Sequence, residues 1–160
     1  MSGAHYMISY EQAMALLKLK SDEDLTAMVA EIAAEASDET SHESGGAWNA
    51  LHRSLSNGTV DPRQGTRPLN MAFLCANVLS RGQDLVVVLT TPTEVKSIAE
   101  ALAKVTEDGL KKKYFDQKFP GYGDKSQEDW VEAWEGFQGL PEFFANAAAR
   151  KQHVLFTVDQ

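Results

Sequence analysis

A single cysteine, Cys75, rules out any disulfide within the chain, and its apolar neighbours Ala72 to Leu74 and Ala76 mark it as a buried thiol rather than a nucleophile. No stretch approaches the roughly 18 consecutive apolar residues of a membrane-spanning helix. The first ten residues, Met1 to Tyr10, have no basic region followed by an apolar run, so no export signal is legible and the cytoplasm is the expected compartment. A Gly-rich phosphate loop, a nucleophile elbow and a zincin motif are all lacking, and no cofactor is expected. The four histidines, His5, His42, His52 and His153, include no pair at i, i+3 or i+4, the spacing at which one helix holds a metal, so no metal site is expected either.

Positive charge is missing from one long stretch. From Ser21 to His52 there is no Lys or Arg, whereas Asp22, Glu23, Asp24, Glu31, Glu35, Asp38, Glu39 and Glu43 all fall within it. The remaining acids equal the 15 lysines and arginines in number, so the whole net charge of -8 belongs to that segment. Such a balance argues against a nucleic-acid surface, which gathers Lys and Arg on one face.

What is present indicates one helix-rich domain over residues 1–160, with no linker or repeat. Ser9 to Gln12 forms a capping box ahead of a short helix that would bury Met14, Leu16 and Leu17. Leu25, Met28, Val29, Ile32 and Ala36 recur at helical spacing, predicting a second helix from Ser21 to about Ala36. Asp38 to Gly46 reads as an exposed loop, followed by a helix over about Ala47 to Ser56 that Asn57-Gly58 stops. Leu69 to Leu79 is apolar but fits a buried helix and a strand equally.

Leu85 to Leu89 is β-branched and continuous, the pattern of a strand covered on both faces. Thr91-Pro92-Thr93-Glu94 places cap, first-turn proline and N3 glutamate in register for a helix with Val95, Ile98, Ala99 and Leu102 inward. Thr106 opens another helix carrying Leu110, Tyr114 and Phe115, and Ser126 opens one carrying Trp130, Trp134 and Phe137. That helix is interrupted at Gly139 to Pro141 and resumes through Phe143, Phe144 and Ala147. His153 to Val158 closes the chain as a strand. Several helices and few strands without βαβ alternation predict an α+β fold with a small sheet.

Two regions are candidates for function. Trp48, Leu51, His52 and Leu55 share a helical face, so His52 is either a core histidine with satisfied ring nitrogens or the proton-carrying wall of a ligand pocket. Trp130 and Trp134 would help line that pocket, or belong to an aromatic core stripe. The other region is acidic: Asp24, Glu31 and Glu35 align beside Met28 on the second helix with no base at i+4, and Asp38, Glu39 and Glu43 extend the charge. The acids are either a solvated face, with or without compensation by Lys111 to Lys113, or the surface on which a basic protein docks. The second alternative corresponds to an immunity protein that neutralises a toxin domain.

Ala47-Trp48-Asn49-Ala50-Leu51-His52, with Leu55, Gly58 and Pro68-Leu69 following, resembles the YfbM-like family of small bacterial proteins, whose shared domain has no known function. Leu89 to Pro92 with Val95 resembles the family's strand-to-helix corner, Ala101-Leu102 its helix end, and Phe143, Ala147-Ala148 and His153 to Phe156 its aromatic helix and closing strand. After Leu69 the chain departs from the Gly-Gly loop and Tyr-Gly-Pro stretch of many members. The resemblance implies an α+β fold in the bacterial cytoplasm and carries no catalytic residue across.

Overall fold

The computed structural model describes residues 1–159. Five antiparallel strands form one sheet in the order β2-β1-β5-β4-β3, with β1 at Ser2–Ile8, β2 at Ser41–Gly45, β3 at Asn77–Val78, β4 at Val86–Thr90 and β5 at His153–Asp159. β1 and β5 pair along their whole length, from Ser2 opposite Asp159 to Ile8 opposite His153. Strand alternation then sorts side chains between two faces. Tyr6, Ile8, Val87, Leu89 and Leu155 face one way, and Met7, Val88, Val154, Phe156 and Val158 the other.

Two helices cover the first face: α1, Tyr10–Lys18, and α2, Asp22–Glu35. Leu16, Leu25 and Ile32 are their buried contribution. Five cover the second: α3 at Trp48–Leu55, α4 at Pro92–Leu102, α5 at Glu107–Asp116, α6 at Gln127–Phe137 and α7 at Leu140–Ala149. The result is a three-layer α+β domain whose larger core lies under α3 to α7.

Local chemistry explains the helix starts. Ser9, Ser21, Thr91, Thr106 and Ser126 each accept a bond from a first-turn amide that the helix itself leaves free, and Ser9 and Thr91 complete capping boxes with Gln12 and Glu94. α6 and α7 are separated at Gly139, which adopts φ 87°, a left-handed conformation open to glycine at little cost. Lys125 caps the far end of α5 by donating to the carbonyls of Tyr114, at 2.6 Å, and Gln117.

The structure departs from the sequence reading in four places. The N-terminal residues, given no element from sequence, form β1, a strand flanked on both sides. His5 sits in the middle of it and neither face is polar, so the alternation that signals a strand is absent. The predicted loop Asp38 to Gly46 contains β2. Its residues Ser-His-Glu-Ser-Gly have little intrinsic strand preference, and pairing with β1 imposes the extended form. Ser44 is buried there, its hydroxyl donating to the Gly3 carbonyl at 3.2 Å. Leu69 to Leu79 is neither one helix nor one strand: a 3-10 turn at Leu69–Ala72 leads into a buried turn at Phe73 to Cys75 and then β3. Leu17, expected among the buried residues of α1, is exposed, because that helix packs inward through Ala13 and Leu16.

The tightest approach between layers is at Gly3, where an added Cβ would lie 2.6 Å from the Trp48 Cβ. Gly3→Ala should therefore cost about 1–3 kcal/mol through displacement of α3 from the sheet, measured as a lower urea midpoint by tryptophan fluorescence; an unchanged midpoint would mean that this contact relaxes freely.

Candidate functional site

The acidic residues are all on the surface. Asp24, Glu31 and Glu35 lie along the outer edge of α2, Asp38 and Glu39 in the turn that follows, and Glu43 on β2, and every one is exposed. Glu43 pairs opposite Ala4, and Ala4 opposite Thr157, beside Val87 on the α1–α2 face of the sheet, so it projects on the same side as α2. Among the described residues the ion pairs are Arg63 with Asp61 and Lys112 with Asp116, and neither involves these six acids. Lys111 to Lys113 belong to α5, on the opposite face of the sheet, and do not fold back to compensate them.

Asp22 behaves differently from its neighbours. Its carboxylate accepts the backbone N–H groups of Arg81 at 2.9 Å and Gly82 at 2.7 Å, which hold its pKa below the usual carboxylate range. Arg81 also donates to the Lys20 carbonyl, pinning the 80–84 turn against the start of α2. Sequence distance hid this contact, since the partners are 59 and 60 residues apart.

The Trp48–His52 face points into the molecule. Trp48 packs on Phe156 with ring centroids 6.0 Å apart, and His52 has no exposed surface. Trp130 and Trp134 belong to the same core: their rings stack 6.0 Å apart on α6, and Trp130 lies 5.6 Å from Tyr114 of α5. Trp48, His52 and Trp130 are core residues, whereas Trp134 is half-buried; the four do not converge on one cavity.

His52 does meet Cys75, a neighbour that sequence reasoning had not connected with it. The His52 Nε2 lies 3.9 Å from the Cys75 Sγ. A nucleophilic pair requires a lowered thiol pKa and an imidazole able to hold the proton. Burial does the reverse to both groups here, pushing the thiol up to about 11 and the imidazole down to about 4. The thiol proton goes instead to the Gln64 carbonyl, 3.3 Å away, so the pair is a neutral polar contact inside the core.

His5 is the more deeply held histidine. Its Nε2–H donates to the Ala72 carbonyl at 2.6 Å, and the rings of Phe73, Phe144 and Phe156 surround it at centroid distances of 5.0, 5.5 and 4.7 Å. Loss of hydration lowers its pKa to about 3. His42, half-buried, donates from Nε2 to the Gly136 carbonyl at 2.9 Å and so ties β2 to α6. With Asp38 and Glu39, His42 lines a cavity of about 500 Å³ that Glu142 and Arg150 complete.

Arg53 is buried, although nothing in the local sequence marked it beyond Asn49 four residues earlier. Its guanidinium donates to the Asn49 side chain at 2.6 Å and to the carbonyls of Gly58 and Pro120 at 2.8 and 2.9 Å. It also lies over the Phe119 and Tyr122 rings, at 5.8 and 5.6 Å. Tyr122 and Tyr114 both donate to Asp129, which joins α5, α6 and the 118–125 turn around this cation.

The histidines make stability fall in acid. Below pH 6.5 the unfolded chain protonates its imidazoles, whereas folded His52 and His5 stay neutral down to about pH 4 and 3. Stability conferred by each neutral ring is therefore complete above pH 6.5 and declines as pH falls through this window, by about 1.4 kcal/mol per pH unit per ring. Urea unfolding between pH 6.5 and 4.5 should show this decline, and His52→Gln should remove its share; an equal slope in the variant would place a charged imidazole in the fold. Cys75 should react with iodoacetamide at pH 8 about a hundredfold or more slowly than in the urea-unfolded chain, whereas comparable rates would reveal an activated thiol.

Comparisons with known proteins agree with this architecture and leave the chemistry open. No functionally curated protein shows significant sequence similarity to the chain. YfbM of Escherichia coli, a protein of unknown function with a crystal structure, superposes with a TM-score of 0.72 at 18% identity, over 99% of this chain and 100% of that one. That likeness is one of fold. A family model described as a domain of unknown function, DUF1877, matches residues 1–157, and the chain belongs to that family.

Proposed function

We propose that this is a non-catalytic binding protein of the immunity type, which neutralises a basic toxin domain by covering it with the acidic face formed by α2, the Asp38–Glu39 turn and β2. The observation that carries the reading is that Asp24, Glu31, Glu35, Asp38, Glu39 and Glu43 are all exposed and without an ion-pair partner among the described residues. Like charges at i, i+4 spacing destabilise a helix by about 0.2–0.5 kcal/mol each, and Glu31 and Glu35 accept that penalty with no base beside them. A docked cation-rich surface would convert the repulsion into attraction, speed the encounter and block access to the partner's active site. The state of the buried histidines and of Cys75, neutral and deep in the core, fits a protein that acts by occupying a surface.

The test is inhibition of a basic toxin that co-purifies from the native cell. The wild-type protein should abolish the toxin's activity at equimolar ratio, with affinity falling about tenfold or more between about 50 and 300 mM salt. The combined variant Asp24→Lys, Glu31→Lys, Glu35→Lys should keep its fold and lose about a hundredfold or more in affinity. Inhibition indifferent to both salt and charge reversal would overturn the reading.

A further inference from the structure

On the far side of the sheet from α2, a cavity of about 490 Å³ opens where the end of α3, the turn before Leu69, the end of α4 and the start of α5 meet. Its charged lining residues are Arg67, Lys104 and Lys113, and no acid lines it. Among the described residues, none of the three cations has a carboxylate within ion-pair distance. In a chain of net charge -8 this is a local reversal of sign, assembled from three separate segments. Beneath the cations the wall is apolar: Leu55 and Leu110 are almost fully buried, and Leu69 and Val105 half-buried.

We infer that this cavity binds a small amphipathic anion, its carboxylate or phosphate head on Arg67, Lys104 and Lys113 and its acyl or aryl body against Leu55, Leu69, Val105 and Leu110. Size, enclosure by apolar side chains and a few convergent polar groups are the attributes of small-molecule sites, and about 490 Å³ falls within their usual range of roughly 300–1,000 Å³. The arrangement also orients the ligand. The adjoining groove shares Arg67 and Lys104 but carries Glu94 and Glu100, which repel an anionic head from that end and direct it toward Lys113. Glu107 and Asp108, in the first turn of α5, do not line the cavity. The guanidinium of Arg67 can hold either head in a two-pronged bond, while the lysines act as point charges, so carboxylate and phosphate share one recognition chemistry.

Titration of the ¹⁵N-labelled protein with octanoate, octyl phosphate, octanol and inorganic phosphate, followed by amide shifts, tests this. Octanoate or octyl phosphate should shift amides at Thr66, Arg67, Leu69 and Ala101 to Leu110 saturably, and whichever binds more tightly identifies the head. Octanol and inorganic phosphate should each bind about tenfold or more weakly, because each lacks one half of the ligand. Lys104→Ala with Lys113→Ala, both at exposed positions, should weaken the better anion by about tenfold or more, whereas Glu31→Lys on the opposite face should leave it unchanged. Octanol binding as well as octanoate, phosphate binding as well as octyl phosphate, an unaffected double-lysine variant, or no saturable shift by about 5 mM would each overturn the proposal.

Discussion

Every layer of this molecule is positioned by the pairing of β1 with β5, which joins residues more than 140 positions apart and places them between β2 on one side and β4 on the other. Seven matched residue pairs hold the two strands in one register, and that register decides which side chains face α1 and α2 and which face the larger core. A slip of one residue would invert the assignment, exchanging Ile8 and Leu155 for Met7 and Phe156. His5 makes such a slip costly. Its ring is enclosed by three phenylalanines and bonded to the Ala72 carbonyl, and the other face offers no such partner.

The two faces of the sheet also separate the charge. α2 carries its acids outward over the smaller core, where only a narrow stripe of Leu25 and Ile32 is needed to hold it down. The larger core supports five helices, and where three of them end the basic residues of distant segments meet over an apolar floor. The excess negative charge thus lies over the smaller core, and the opposite side carries one local basic cluster at Arg67, Lys104 and Lys113. A single bulk value of -8 conceals that division. Buried polar groups serve the architecture: Arg53, Asp129, Tyr114 and Tyr122 fasten the 118–125 turn, and His42 joins the edge strand to α6.

Much of this was legible along the chain, and the parts that were not share a cause. The helix starts at Ser9, Ser21, Thr91, Thr106 and Ser126 could be read because a cap and its N3 partner are only three residues apart. β4 was equally plain, five β-branched or aliphatic residues in succession. β1 and β2 were not, since a strand containing His5 and another reading Ser-His-Glu-Ser-Gly take their form from neighbours remote in sequence. The acidic face was visible as composition. The basic cleft was invisible, because Arg67, Lys104 and Lys113 lie in unrelated stretches of mixed charge.

By itself, then, the sequence determined the helices, their caps and inward stripes, the α+β class, the family likeness and the location of the excess negative charge, all of which depend on residues within a few turns of one another. Only the tertiary structure decided the strand order, the burial of His5, His52 and Arg53, the neutral His52–Cys75 contact and the cavity beneath Arg67, Lys104 and Lys113. Each of these is a meeting of segments separated by 20 residues or more, or depends on the desolvation such meetings produce. Local propensity and periodicity carry no information about which distant surfaces will exclude water together.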